Sequence, residues 1–245
     1  MATTPPGSQA GPATQTGTGA ASCPNCGAPI RFASPALPVK VCANCRSLIV
    51  RHDAGLERVG EAAMLPFDVS PVQIGTQGRF ADQGFHIVGR IRWGWAAGSW
   101  NEWLALFDDG SSHWLGEAMG DFMLTTDCPI TEASDALLRE YAAGRAPELG
   151  AVVVEGGVHY VTSDIKRATV LAIEGDLPFK ADSDWTIDSV DFRSVGGQIA
   201  SFQRDATGAS FYTGQVVSLS ELGATNLRSI EGWAMPDFAA RAARA

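Results

Sequence analysis

From Val72 onward the apolar residues come in short runs separated by turn residues, the pattern of strands rather than helices. Phe85–Val88 and Trp103–Phe107 have strand length, and Asp108-Asp109-Gly110 marks a hairpin that resumes at His113-Trp114-Leu115. Further strands are predicted over Ala151–Glu155, His159–Thr162, Ala168–Glu174, Ser189–Arg193, Ile199–Arg204 and Ser210–Val217. One helix is predicted over 131–143, with Thr131 as N-cap, Glu132 and Asp135 in its first turn, and Gly144 and Pro147 as stops. Its apolar stripe is Leu137, Leu138 and Tyr141. Ser220–Asn226 and Pro236–Arg244 read as short helices, the second with Arg241 and Arg244 near its C-terminal end.

The strand region carries a faint repeat. Gly84-Phe85-His86-Ile87-Val88 is echoed by Gly157-Val158-His159-Tyr160-Val161, and 108–116 by 206–214. Order is kept while the spacing changes, which suggests two related halves.

Composition divides the chain further. Residues 1–22 hold no charged side chain and no large apolar residue except Met1, so they read as a disordered tail. They lack the basic and apolar regions of a secretory signal. Residues 23–52 form a small basic module with Arg31, Lys40, Arg46 and Arg51 and no acid. Residues 53–72 read as a connector punctuated by Gly55, Gly60, Pro66 and Pro71. The β-rich domain is expected over 73–228, its halves at 73–128 and 148–222 joined by the helix, before a tail at 229–245.

The basic module contains the most specific motif. Cys23-Pro24-Asn25-Cys26-Gly27 and Cys42-Ala43-Asn44-Cys45-Arg46 are two C-x2-C knuckles separated by fifteen residues. This is the spacing of a four-thiolate zinc site. A two-residue gap lets both sulfurs of a pair face one ion. Gly27 can take the positive φ that a knuckle needs, and the charge of Arg46 can offset the −2 of a Zn(Cys)4 centre. Ile30–Phe32, Val39–Val41 and Leu48–Arg51 would be the strands of a zinc ribbon. About thirty residues cannot form a core alone, so the metal supplies folding energy. One structural zinc held by Cys23, Cys26, Cys42 and Cys45 is the expectation; a single iron has the same spacing. Cys128 stands apart and reads as a free thiol.

The whole is therefore expected to be mainly β, an N-terminal zinc ribbon followed by a β-sandwich or partly open barrel. No run reaches the ~18–20 apolar residues of a membrane-spanning helix. The 18 basic and 27 acidic residues give a charge of −9, which argues against general nucleic-acid coating. With the four ribbon bases removed, 14 bases face 27 acids, so a +4 module leads a −13 body.

Five of the seven Trp, at 93, 95, 100, 103 and 114, fall within 22 residues. They read either as core or as a binding surface, and a cluster serving only as core would leave Glu102 on the opposite face. Trp93, Trp95, Trp100, Glu102, Trp103, Trp114 and Glu117 are the candidate binding surface, with Glu102 and Glu117 as its carboxylate pair. A sugar-binding or sugar-cleaving site would want this mix of Trp and acids. His86 and His159 sit at matched positions of the repeat and read as exposed or hydrogen-bonded. No nucleophile elbow, phosphate loop or metalloprotease helix motif is present.

The knuckles, Trp100-Asn101-Glu102-Trp103, the Phe107–Gly110 turn, Trp114-Leu115-Gly116-Glu117, Gly175–Phe179, Val190–Arg193 and Ser218–Leu222 together resemble an uncharacterised bacterial family. It is known as domain of unknown function 4178 and is often found behind a zinc ribbon. The resemblance spans roughly residues 22–225. It implies a β-rich domain without established activity, accessory to a stress or envelope system, with some members tied to polyamine metabolism. The expected function is a non-enzymatic, cytoplasmic binding or adaptor protein whose ribbon docks a protein partner. The alternatives are nucleic-acid binding through the ribbon, and an enzyme or ligand-binding module built on the Trp/Glu surface.

Overall fold

The computed structural model describes residues 21–52, 55–63, 70–181 and 184–230. Fifteen strands and one helix make up these residues. The mainly β expectation holds, and the barrel alternative is the one realised.

Eight strands close a ring. β7 (Gln83–Trp95), β8 (Gly98–Phe107), β9 (Ser112–Ala118) and β10 (Asp121–Asp127) form one antiparallel meander. β12 (Val158–Leu177), β13 (Thr186–Arg193), β14 (Gln198–Arg204) and β15 (Ala209–Val217) form a second. First strand pairs with first, β7 with β12, and last with last, β10 with β15. Each meander is preceded by a hairpin partner, β6 (Gln77–Phe80) on β7 and β11 (Val152–Glu155) on β12. The two halves thus share one topology. The segment 84–88 opens β7 and 157–161 opens β12, as the repeat suggests. The second echo does not follow this correspondence, because 108–116 leads into the third strand of its half and 206–214 into the fourth. At the seams between halves the backbones lie close. A Cβ on Gly89 would meet Asp176 O at 1.9 Å, and one on Gly214 would meet Leu124 O at 2.1 Å.

The outward faces of the meanders are apolar and covered. Trp103, Phe107, Leu115 and Phe122 pack under Val72 and the chain after β15, including Leu219 and Leu222. Val190, Phe192, Phe202 and Phe211 pack under Leu138 and Tyr141 of α1 (Ala136–Ala142) and Val153 of β11. α1 lies between the halves, as expected, but starts later. Asp135 is its N-cap and accepts from Leu137 N–H at 2.8 Å, while Thr131 and Ser134 close a separate turn through side-chain bonds to backbone. Ser220–Asn226 forms turns rather than a helix, with Gly223 at φ 55°. Pro236–Arg244 lies outside the described residues.

The ribbon consists of the pair β1 (Ala21–Ser22) and β2 (Pro29–Ile30), and a sheet of β3 (Val39–Val41), β4 (Ser47–His52) and β5 (Gly55–Glu61). β5 occupies much of the stretch read as a connector. Gly55 and Gly60 obscured it in the sequence, yet it completes the ribbon sheet. β3 in turn pairs with the end of β12, Lys40 opposite Asp176 and Val39 opposite Leu177. Ribbon and ring therefore share hydrogen bonds.

Candidate functional site

The two knuckles have matched backbones. Gly27 N–H donates to Cys23 O and Arg46 N–H to Cys42 O, and both residues have positive φ, 76° and 60°. Arg46 takes this conformation although it is not glycine. Its guanidinium reaches the carbonyls of Ala62 and Ala63 at the end of β5 rather than the thiolates. The four sulfurs lie within 4.8 Å of one another, with Cys23–Cys45 at 3.7 Å and Cys26–Cys42 at 3.8 Å. A tetrahedral ion with metal–sulfur bonds of ~2.3 Å has S···S edges of about 3.8 Å, so the cluster fits zinc. The separations are far longer than the ~2.05 Å of a disulfide. The thiols differ: hydrogen bonding with Ser47 lowers Cys45 to about 5, and burial pushes Cys42 to about 11. All four sites on this ion would be protein, which leaves no open position for a substrate.

The ring encloses the second site. Alternation along every strand sends one set of residues inward. Trp93 faces Trp100, Glu102 faces Gly116, Ser201 faces Tyr212 and Asp191 faces Ser201 across successive strand pairs. Residues from all eight strands line a cavity of about 220 Å³. Its lining is divided. The first meander supplies an aromatic wall of Trp93, Trp95, Trp100 and Trp114, extended by Phe179 and Trp185. The second supplies a polar wall of Lys166, Ser189, Asp191, Ser201, Gln203 and Tyr212. The rings form one chain of contacts: Trp95–Trp100 at 5.5 Å, Trp100–Trp93 at 6.1 Å, Trp93–Trp185 at 4.9 Å, Trp185–Phe179 at 5.2 Å and Phe179–Trp114 at 6.1 Å.

Glu102 joins the walls. Its carboxylate accepts from Trp93 Nε1 at 2.8 Å, Trp100 Nε1 at 3.1 Å and Gln203 Nε2 at 2.6 Å. Burial raises its pKa, and the three donors and nearby Asp191 act on it more weakly, the donors downward and the Asp191 charge upward. Asp191 is also raised by burial, opposed by the Lys166 charge and a hydrogen bond from Ser201. Lys166 pairs with Asp164 and lies 5.1 Å over the Trp95 ring, at one side of the cavity.

The seven residues grouped as one surface divide between two faces. Trp93, Trp95, Trp100, Glu102 and Trp114 line the cavity. Trp103 and Glu117 do not, because in Trp100-Asn101-Glu102-Trp103 the odd positions face outward. Glu117 accepts from Trp103 Nε1 and from Asn101 Nδ2, both at 2.9 Å. Asn101 Oδ1 accepts two bonds from the buried Arg90, whose guanidinium stacks 4.4 Å over Trp103. Glu102 and Glu117 are thus not a carboxylate pair on one surface. His86 and His159 are exposed, and Cys128 is half-buried with its thiol raised by burial. Trp185, Asp191, Gln203 and Tyr212 were missed in the sequence. They lie 70 or more positions beyond the Trp cluster, and only the register of the ring brings them to it.

Among the described residues no helix is long and apolar enough to cross a membrane. Residues 73–219 match a family described as a domain of unknown function, DUF4178. The match covers the ring and begins after the ribbon. Comparison with curated proteins and with solved structures found no match.

Proposed function

The chain belongs to the DUF4178 family, and from that premise we propose that it is a non-enzymatic binding protein whose ligand site is the ring cavity. The observation that carries the reading is the divided lining. A flat apolar molecule of one or two rings would stack on the indoles and direct a hydrogen-bonding edge to Asp191, Gln203 and Tyr212. The cysteine cluster holds one structural zinc in this reading. Glu102 acts as a clamp for Trp93 and Trp100 rather than as an acid or base, since three protein N–H groups already engage it.

The geometry favours this over docking or nucleic-acid binding through the ribbon. Val39, Val41 and Leu48 are buried against the ring, so the ribbon's apolar side is occupied. Three of its four bases are also engaged: Lys40 by Asp176, Arg46 by the end of β5, and Arg51 by the carbonyls of Ser34, Pro35 and Leu37. The test is binding of 5-fluoroindole, a flat ring with one N–H, followed by ¹⁹F NMR. Wild type should bind saturably, and Trp100→Ala should weaken binding at least tenfold. Absence of saturable binding, or equal binding by the variant, would overturn the reading.

A further inference from the structure

The ribbon and the cavity meet at the floor of the ring. Of the fifteen residues between Cys26 and Cys42, Ala33, Leu37 and Val39–Val41 meet the ring. Leu37, 2% exposed, clusters with Val88, Leu104 and Leu106, and Trp114 packs against that cluster. Val39 and Val41 share a cluster with Trp93, Ile91 and Val170, with Trp100, Phe179 and Trp185 packed at its margin. Trp93, Trp100, Trp114, Phe179 and Trp185 are also cavity wall. The loop therefore backs the very indoles that the proposed ligand would touch.

This segment is held from both sides, by the ring and by the ribbon sheet. The ribbon's own core is Cys23, Ile30, Cys42 and Ile49, and two of those four are metal-binding cysteines. A module with so small a core depends on its ion for its fold. From the ring side, buried Asp176 accepts from Lys40 and from Ala33 N–H. From the ribbon side, Arg51 binds the carbonyls of Ser34, Pro35 and Leu37 while stacking 4.4 Å over Phe32. Metal site, loop and aromatic wall form one packed path.

We propose that the metal site and the cavity are thermodynamically linked. Metal bound by Cys23, Cys26, Cys42 and Cys45 fixes the 33–41 loop and through it the aromatic wall, so the cavity binds well only in the metal-loaded protein. Linkage is reciprocal, so a filled cavity tightens the metal by the same factor. The proposal rests on the cavity being the ligand site.

The experiment uses the full chain loaded with zinc, the same chain after chelation, and a Leu37→Ala variant, with 5-fluoroindole as probe. Loaded wild type should bind the probe at least tenfold more tightly than chelated protein. Saturating probe should slow zinc transfer to a chromogenic chelator. Leu37→Ala should keep one zinc per chain and lose most of the difference, because the loop no longer reaches the wall. It keeps the thiolates and the ring strands, so it also separates linkage from general unfolding of the metal-free chain. Equal probe affinity in loaded and chelated protein would overturn the linkage and leave the cavity site standing. Leu37→Ala that holds one zinc per chain and keeps the full difference would also overturn it. Absence of probe binding in every form would overturn the ligand site itself, and the linkage with it.

Discussion

Glu102 and Glu117 lie on adjacent strands, Glu102 accepts from two indole N–H groups and Glu117 from one, and they serve opposite ends. Glu117 faces outward into a closed network. Trp103 and Asn101 donate to it, Asn101 is held by Arg90, and Arg90 stacks on Trp103. Glu117 is 8% exposed, and Arg90 and Trp103 are fully buried. Glu102 faces inward to a cavity. It has no cation among its hydrogen-bond partners, only two indoles and an amide, and burial raises its pKa. The same motif, a carboxylate holding an indole, is a structural joint on one face and the frame of a binding wall on the other. What separates the two is whether a cation and packed neighbours close the network or empty space adjoins it.

The comparison is broken most forcefully on the outer face. Trp103→Ala removes a buried indole and leaves Glu117 and Arg90 short of partners, at a cost of about 3–5 kcal/mol. Chemical denaturation should show that loss, with the fold failing if the domain is marginal. Trp100→Ala, on the cavity side, should cost far less stability and more binding. A Trp100 loss as large as that for Trp103 would assign both indoles to the core.

Glu102→Gln is the smaller and sharper change. One amide oxygen replaces two carboxylate oxygens, so a donor among Trp93, Trp100 and Gln203 goes unmatched, at about 1–3 kcal/mol. Its pH dependence has a definite sign. A carboxyl whose pKa is raised in the folded state binds its proton more tightly there than in the unfolded chain. Its stabilising contribution is present below the ordinary glutamate value of ~4.3 and is lost as pH rises toward the folded value. The melting temperature of wild type should therefore fall over that interval more steeply than that of Glu102→Gln. Asp176 and Asp191, also raised by burial, leave a residual slope in the variant. Parallel profiles would mean that Glu102 is not the inward carboxylate described.

Much of this was legible in the residues. The knuckles announce themselves because thiolate spacing is set by the ion. The mainly β ring follows from apolar runs bounded by turns. Even the split of the Trp cluster is implicit in the alternation of Trp100-Asn101-Glu102-Trp103, although grouping the residues by proximity in sequence hides it. Other parts were obscured by the cavity. β12 reads as two strands because Asp164, Lys166 and Arg167 interrupt its apolar run, and the first two line or flank the cavity. β10, beginning at Asp121, has the same difficulty. In β12 the two-residue alternation also loses register at the bulges between Thr162 and Asp164 and between Val170 and Ala172. The ribbon's role as a floor was illegible for a different reason. Leu37 and Val39 look like ordinary ribbon residues until the pairing of β3 with β12 sets them under the ring.

The central claim, that the inward face binds and the outward face holds, is tested most directly by the indole N–H signals of the full chain in a ¹H–¹⁵N spectrum, assigned by single Trp→Phe variants, during titration with 5-fluoroindole. The account predicts shifts for Trp93, Trp95, Trp100, Trp114 and Trp185 and none for Trp103. Shifts of Trp103 comparable to the others, or no shift in the cavity indoles at saturation, would contradict it.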